Sequence, residues 1–219
     1  MCADKSSSIS IDPSQKRLQY DTPILNNVDK NPFIQFQQWY EKASSVSEIE
    51  EPNAMCVSTC NKEGKPSSRM VLMKKFTERG ITFYSNQESR KGGEMTYNSN
   101  VALLFYWTAL KQQIRIEGRV ERVPDTEADD YWSTRPMMSR ITTVVSQQSR
   151  PVSSREELER KIEEVKEREG DGVKRPSHWI GYLVVPDTFE FWQGHSGRLH
   201  DRFQYKSIGG DWDITRLQP

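Results

Sequence analysis

The sequence predicts a mainly β protein, an antiparallel barrel with helices on its periphery. Short apolar and β-branched runs follow one another along the chain. Turn-forming stretches such as Asn61-Lys62-Glu63-Gly64 and Thr77-Glu78-Arg79-Gly80 separate them. Residues 113–123 alternate, with Ile114, Ile116, Gly118 and Val120 on one side and Gln113, Arg115, Glu117, Arg119 and Glu121 on the other. Helical patterns are inserted between such strands, the order of a barrel decorated by helices.

From the N-terminus, residues 1–30 are polar and irregular, with Pro13 and Pro23, and predict a mobile arm. Asn31-Pro32 opens a helix: proline suits a first turn, and Phe33, Phe36, Trp39, Tyr40 and Ala43 share one face. Strands are expected over 54–60, 68–75 and 81–85, then a short helix over 88–98. Residues 101–107 are almost continuously apolar, which predicts a strand buried on both faces. Pro124 starts a helix that passes Tyr131-Trp132 and stops before Pro136. Residues 156–169 are polar nearly all round and predict an outlying helix. Strands return over 180–185, 189–193, 202–205 and 212–216. No repeat or strong linker divides the chain, so residues 31–219 read as one domain.

The 219 residues balance 31 Lys and Arg against 31 Asp and Glu, so no global basic field marks the chain for nucleic acid. Six Trp, eight Tyr and eight Phe argue against disorder, because aromatics carry large burial energies. The apolar run 101–107 is far shorter than a bilayer span, and no apolar stretch follows Met1-Cys2-Ala3-Asp4-Lys5. A soluble, cytoplasmic protein without membrane contact is the expectation. Three cysteines make no disulfide framework. Cys56 and Cys60 share an expected strand and stand roughly 13 Å apart, too far for one ion, so no metal site is expected.

Familiar nucleotide and hydrolase signatures are missing: no G-x-G-x-x-G, G-x-x-x-x-G-K-[ST], H-E-x-x-H or G-x-S-x-G occurs. What stands out is cationic residues within or beside apolar strands. Arg69 and Lys74 flank Met70-Val71-Leu72-Met73. Arg90-Lys91 follow Ser89 at an expected helix start, where free N–H groups favour an anion. Arg135 stands four residues from both Tyr131 and Ser139, and Arg198-Leu199-His200-Asp201-Arg202 follows the aromatic Phe189-Glu190-Phe191-Trp192. Mixtures of guanidinium, ammonium and hydroxyl suit phosphate, and two clusters suit two phosphates. Taken singly, each also reads as an ordinary strand-end cation, a solvated helix face or a core aromatic.

Together these residues resemble the pyridoxamine 5'-phosphate oxidase family. The resemblance rests on Arg69-Met70-Val71-Leu72-Met73-Lys74, Ser89-Arg90-Lys91, Arg115-Ile116-Glu117-Gly118, Thr134-Arg135-Pro136, Val145-Ser146-Gln147-Gln148-Ser149 and Arg216-Leu217-Gln218-Pro219. Its most specific part is Glu190-Phe191-Trp192-Gln193-Gly194 with Arg198-Leu199-His200-Asp201-Arg202, and it runs from about Arg17 to Pro219. It implies an FMN-binding split β-barrel that forms a homodimer with FMN at the interface. The FMN phosphate would fall to Arg69, Ser85, Arg90 and Lys91, with Gln148 and Ser149 supplied from the partner side. Gln113 would bond the flavin ring, and Val71, Leu72, Tyr84, Trp192 and Arg202 would complete the pocket. Lys74, Tyr131, Arg135 and Ser139 would hold the substrate phosphate. Arg198 and His200 would flank the substrate ring as the catalytic pair, with Arg17 and Tyr20 forming a lid.

The implied reaction is oxidation of pyridoxamine or pyridoxine 5'-phosphate to pyridoxal 5'-phosphate, by hydride transfer from C4' to flavin N5 with O2 as acceptor. Arg198 keeps its proton at neutral pH and would orient substrate and stabilise charge; His200 would orient substrate or relay a proton. The chain departs from the family pattern at Gln112, Arg140, Thr142, Ile180 and Gln218, none of them an expected phosphate ligand. The alternatives are an FMN- or pyridoxal-phosphate-binding barrel without turnover and a related flavin reductase. The reductase is expected to lack Lys74, Tyr131, Arg135 and Ser139 as a set.

Overall fold

The computed structural model describes residues 20–219. Its strands are β1 (Ala54–Cys60), β2 (Pro66–Leu72), β3 (Lys75–Thr77), β4 (Gly80–Asn86), β5 (Asn100–Trp107), β6 (Gln112–Arg122), β7 (Trp179–Gln193), β8 (Asp201–Ile208) and β9 (Asp211–Arg216). Helices α1 (Pro32–Ser44), α2 (Arg90–Tyr97), α3 (Asp125–Ser133), α4 (Met137–Val145) and α5 (Arg155–Glu169) surround them. All pairings are antiparallel, in the order β2-β1-β5-β6-β7-β4-β3. One edge of β7 serves two partners: its first residues pair with β4 and its last with β8, which carries β9. That division splits the barrel, and the architecture is the split β-barrel that the sequence predicts.

Asn31 accepts the Phe33 N–H at 2.9 Å and caps α1 beside Pro32. The helix then seats Phe36, Trp39 and Ala43 in the core, Phe36 against Phe105 (centroids 5.2 Å) and Trp39 against Phe191 (5.3 Å). Truncating a ring buried like Phe36 costs about 3–5 kcal/mol. In β6 the expected alternation is observed, with Ile114 and Ile116 fully buried. The β6–β7 register slips where Glu117 faces Thr188 and Gly118 faces Pro186, leaving Asp187 as the bulge. A Cβ on Gly118 would lie 2.2 Å from the Val185 carbonyl oxygen, so only glycine lets the two backbones approach here.

Three expectations are corrected, and one helix is added. β5 is not buried on both faces: Val101, Leu103, Phe105 and Trp107 point inward while Tyr106 is half exposed, because only one side of the strand meets the core. The strand expected over 68–75 breaks after Leu72, since the Met73 N–H bonds Asn53 O and the Lys74 N–H bonds Thr82 O, switching the chain from one neighbour to another. The two strands expected over 180–193 are one, because the bulge at Asp187 lets pairing with β6 continue past Pro186. Helix α4 has no counterpart in the sequence reading, because its Thr-Thr-Val-Val ending favours strand locally. Burial of Ile141 against Trp132 and Val165 decides for helix. α5 buries only Val165 and lies outside, as its polar pattern predicts.

Residues 20–30 form no helix or strand, yet they are docked. Leu25 N–H donates to Asp201 Oδ2 at 2.8 Å, and the Tyr205 hydroxyl donates to Asp29 O at 2.7 Å. Arg17 lies outside the described residues.

Candidate active site

A ladder of rings joins β4, α3 and the start of β7. Tyr84 stacks between Tyr131 (4.3 Å, 20°) and Trp179 (5.0 Å, 13°). Gly181, opposite Tyr84 in the register, makes room for it: a Cβ there would stand 2.8 Å from the Tyr84 ring. The Arg135 guanidinium lies over Trp179 (4.6 Å) and Trp132 (5.1 Å) and donates to Thr143 Oγ1 at 3.0 Å. Burial pulls Arg135 below its ordinary pKa and, with the charge of Glu127, pushes the Tyr84 phenol up to about 12. Arg135, Tyr131, Tyr84 and Trp179 line a cavity of about 250 Å³ together with Lys74, Val71, Leu72, Ser85, Lys91 and Gln148. A neighbouring cavity of about 230 Å³ shares Tyr84, Ser85, Arg135 and Gln148 and reaches Thr142 and Thr143. Ser139 lines neither; it stands one helical turn before Thr143, whose hydroxyl donates to its carbonyl.

At the start of α2, Ser89 Oγ caps the helix by accepting the Gly92 N–H. Lys91 Nζ reaches Ser89 Oγ at 3.2 Å and Gln148 Oε1 at 2.6 Å, and Ser85 Oγ donates to the same Oε1 at 3.4 Å. Gln148 therefore meets Lys91 within one chain, a correction to the expectation that it comes from the partner side. The segment after α4 folds back over the end of β4 and delivers it there. Lys91 is only 8% exposed, and burial, followed by the charge of Arg69, lowers its pKa to about 8. Ser149 is exposed with φ of 71°, a left-handed conformation uncommon for serine.

Arg69 and Arg90 meet at Glu94, a buried carboxylate absent from the sequence reading. Oε1 accepts from Arg90 Nε at 2.9 Å, and Oε2 accepts from Ser67 Oγ at 2.6 Å, from Arg69 at 3.5 Å and from Thr59. Burial raises the Glu94 pKa, but the hydrogen bonds from Ser67, Thr59 and Arg90 outweigh it and hold the group at about 2. The i,i+4 spacing of Arg90 and Glu94 is the signal that finds it.

Strand register sets Tyr106, Gln113, Trp192 and Arg202 in one row across β5, β6, β7 and β8. In the adjacent row, buried Glu190 accepts from Arg115 and from Arg202 Nε, each at 2.9 Å. Arg202 also donates to the Gln218 carbonyl at 2.8 Å, which ties the C-terminal tetrapeptide to the row. His200 packs on Trp192 (4.7 Å), and Tyr20 meets Trp192 edge-on (6.3 Å, 87°). Arg198 is exposed, with φ of 63°. That left-handed conformation is uncommon for arginine.

The two groups stand at opposite ends of β7: Trp179 belongs to the first, Trp192 to the second, thirteen residues apart. That is up to roughly 40 Å of extended strand. One chain thus gathers Lys74, Tyr131 and Arg135 with Lys91, and separately gathers Gln113, Trp192, His200 and Arg202.

Residues 42–169 match the family model for pyridoxamine 5'-phosphate oxidase, and residues 179–219 match that for the pyridoxine 5'-phosphate oxidase C-terminal dimerisation region. The chain belongs to the pyridoxamine 5'-phosphate oxidase family. A curated pyridoxine/pyridoxamine 5'-phosphate oxidase of Trichormus variabilis is 48% identical over 207 residues, covering 93% of this chain and 96% of the relative. One from Bordetella petrii is 45% identical over 212 residues, covering 96% and 100%. Among solved structures, PhzG from Burkholderia lata, in complex with tetrahydrophenazine-1-carboxylic acid, superposes with a TM-score of 0.83 at 32% identity, covering 87% of this chain and 94% of PhzG. A pyridoxamine 5'-phosphate oxidase-related, FMN-binding protein of Nostoc punctiforme shares the fold, with a TM-score of 0.71 at 12% identity, covering 86% and 98%.

The residues of this family member fit FMN. Lys91, Ser85 and the helix start supply cation, hydroxyl and N–H groups for a phosphate, and Gln148 Oε1 already sits where a phosphate oxygen would accept from Lys91 and Ser85. Arg69 spends its terminal N–H groups on Val57 O, Thr59, Ser67 and Glu94, leaving Nε–H and its charge for the anion. The departures from the family pattern have local partners. Ile180 is buried in the core, Arg140 bonds Asp171, and Gln112 pairs with Gln193. Thr142 lines the second cavity, and Gln218 offers only its carbonyl. Among the described residues no cluster of three or more His, Cys, Asp or Glu could hold a metal ion, and no helix is long and apolar enough to cross a membrane.

Proposed function

We propose that this chain is an FMN-dependent oxidase that converts pyridoxamine and pyridoxine 5'-phosphates to pyridoxal 5'-phosphate, in vitamin B6 salvage in the cytoplasm. The observation that carries this reading is the convergence of Lys74, Tyr131 and Arg135 on the cavity that also receives Lys91, Ser85 and Gln148. Two anion-binding sets on one cavity suit two phosphates, one on cofactor and one on substrate. The tetrahydrophenazine carboxylic acid bound to PhzG marks a second reading, oxidation of a carboxylated ring. The phosphate-binding set favours the first.

FMN held there would supply the hydride acceptor, with O2 as the final oxidant and hydrogen peroxide as the product. Lys74, Tyr131 and Arg135 hold the substrate phosphate, with Ser139 brought in from α4. Arg198 orients the pyridine and balances its charge. His200 donates from Nε2 to a ring substituent, because the His195 N–H occupies Nδ1. Trp192 and Tyr20, joined by Arg17, exclude water. Water and O2 complete the amine reaction, which releases ammonia and hydrogen peroxide.

The separation along β7 calls for a homodimer, in which the Gln113–Trp192–Arg202 row of one copy meets the cavity of the other. The face that carries this row also exposes Met70 (63%) and Tyr106 (50%), an apolar surface suited to a second copy. Each copy is a single domain over residues 31–219 with the arm 1–30 as its lid. The test is an absorbance spectrum of the purified protein, followed by pyridoxamine 5'-phosphate without oxygen. A flavin spectrum that bleaches is expected; a flavin spectrum unchanged by substrate rejects the oxidase reading, and colourless protein rejects FMN.

A further inference from the structure

Glu94 sits at the centre of the cationic cradle yet carries the wrong charge to bind a phosphate. Its side chain is 6% exposed, and both its oxygens are used within the chain. Oε1 holds Arg90 by Nε alone, leaving the two terminal nitrogens of that guanidinium without a partner among the described residues. Oε2 shares Ser67 and Thr59 with Arg69, so the carboxylate and two hydroxyls fix that guanidinium from one side. Lys91 faces the same space from the helix start. Three cations against one carboxylate leave two net positive charges, the complement of a phosphate dianion.

Resting on the FMN reading above, we propose that Glu94 is a positioning residue for the cofactor phosphate: it anchors Arg69 and Arg90 so that their free N–H groups face the anion. The sign of its effect separates this role from simple electrostatics. Through space a carboxylate repels a phosphate, so neutralising it would tighten FMN binding. As an anchor, its loss lets both guanidiniums rotate and raises the entropy cost of capturing the anion, so binding weakens.

The test is a flavin-fluorescence titration of apoprotein, wild type against Glu94→Gln, with FMN and with riboflavin, which lacks the phosphate. The FMN Kd is expected to rise about tenfold, the equivalent of one charged hydrogen bond, with riboflavin binding unchanged. Tighter or unaltered FMN binding, or an equal loss for both flavins, overturns the proposal. If Glu94→Gln does not fold, Ser67→Ala reports instead: it loosens Glu94 and Arg69 together and should give the same FMN-only loss, and no loss overturns the proposal. Wild-type protein that binds no FMN overturns the cofactor reading itself, a distinct result.

Discussion

The backbone N–H of His195 donates to Nδ1 of His200 across 3.0 Å. An amide cannot accept, so neutral His200 carries its proton on Nε2. Burial, His195 and Arg198 lower the His200 pKa below its ordinary 6.5, which keeps the ring neutral at pH 7. The structure thus favours a hydrogen-bond donor over a proton relay.

It follows that His200→Gln, which keeps an N–H near the Nε2 position, should retain more turnover than His200→Asn, which keeps only the inner contact. Losing the donor is expected to cost about 10²-fold in kcat. Steady-state kinetics with pyridoxine 5'-phosphate checks it; equal loss in both variants rejects the donor role.

FMN affinity should fall on the alkaline side. Lys91 has a pKa of about 8 in the folded chain against 10.5 when free. Between those values the folded apoprotein binds fewer protons than the unfolded chain, so apoprotein stability rises with pH across the window. Phosphate binding needs the ammonium, so the FMN Kd should be flat below about pH 8 and rise above it. Fluorescence titration across pH reads this, and Lys91→Met should bind weakly with that pH dependence removed.

Trp179 supports Arg135 as well as the core. In Trp179→Leu the guanidinium loses the ring 4.6 Å beneath it. A partly desolvated contact of this kind contributes about 1–2 kcal/mol, so the KM for the phosphorylated substrate should rise about tenfold. The FMN Kd should change less, because Trp179 hydrogen-bonds none of Arg69, Arg90, Lys91 and Glu94, which hold their positions through Ser67, Thr59, Ser89 and Gln148. An equal loss in both constants would show general collapse instead.

Met70→Asp places a charge on the exposed sheet face, at the rim of the cavity lined by Lys74 and Arg135, without touching the core. Sedimentation should show a shift from dimer to monomer, with loss of turnover, because the Gln113–Trp192–Arg202 row of one copy then no longer meets the cavity of the other, and within one chain the two groups stand at opposite ends of β7. A fully active monomer would refute the shared site.

Glu94 gives an acid-stability signature. Its folded pKa of about 2 lies below the ordinary 4.5, so the stability it lends is full above pH 4.5 and is lost as pH falls towards 2. Acid denaturation of Glu94→Gln should lack that limb.

The sequence by itself determined most of the strands, helix α1 and the identity of the cationic clusters. Period-two alternation in 113–123 and the 3.6-residue spacing of Phe36, Trp39 and Ala43 are local signals, and local sterics read them directly. Only tertiary structure decided the rest. Helix α4 exists because Ile141 is buried, against its β-branched neighbours. Gln148 reaches Lys91 across 57 positions of chain, and Glu94 becomes a hub because β1 and β2 bring Thr59, Ser67 and Arg69 to it. Contacts between residues distant in sequence follow from how the sheet closes, and that closure is a property of the whole chain's packing.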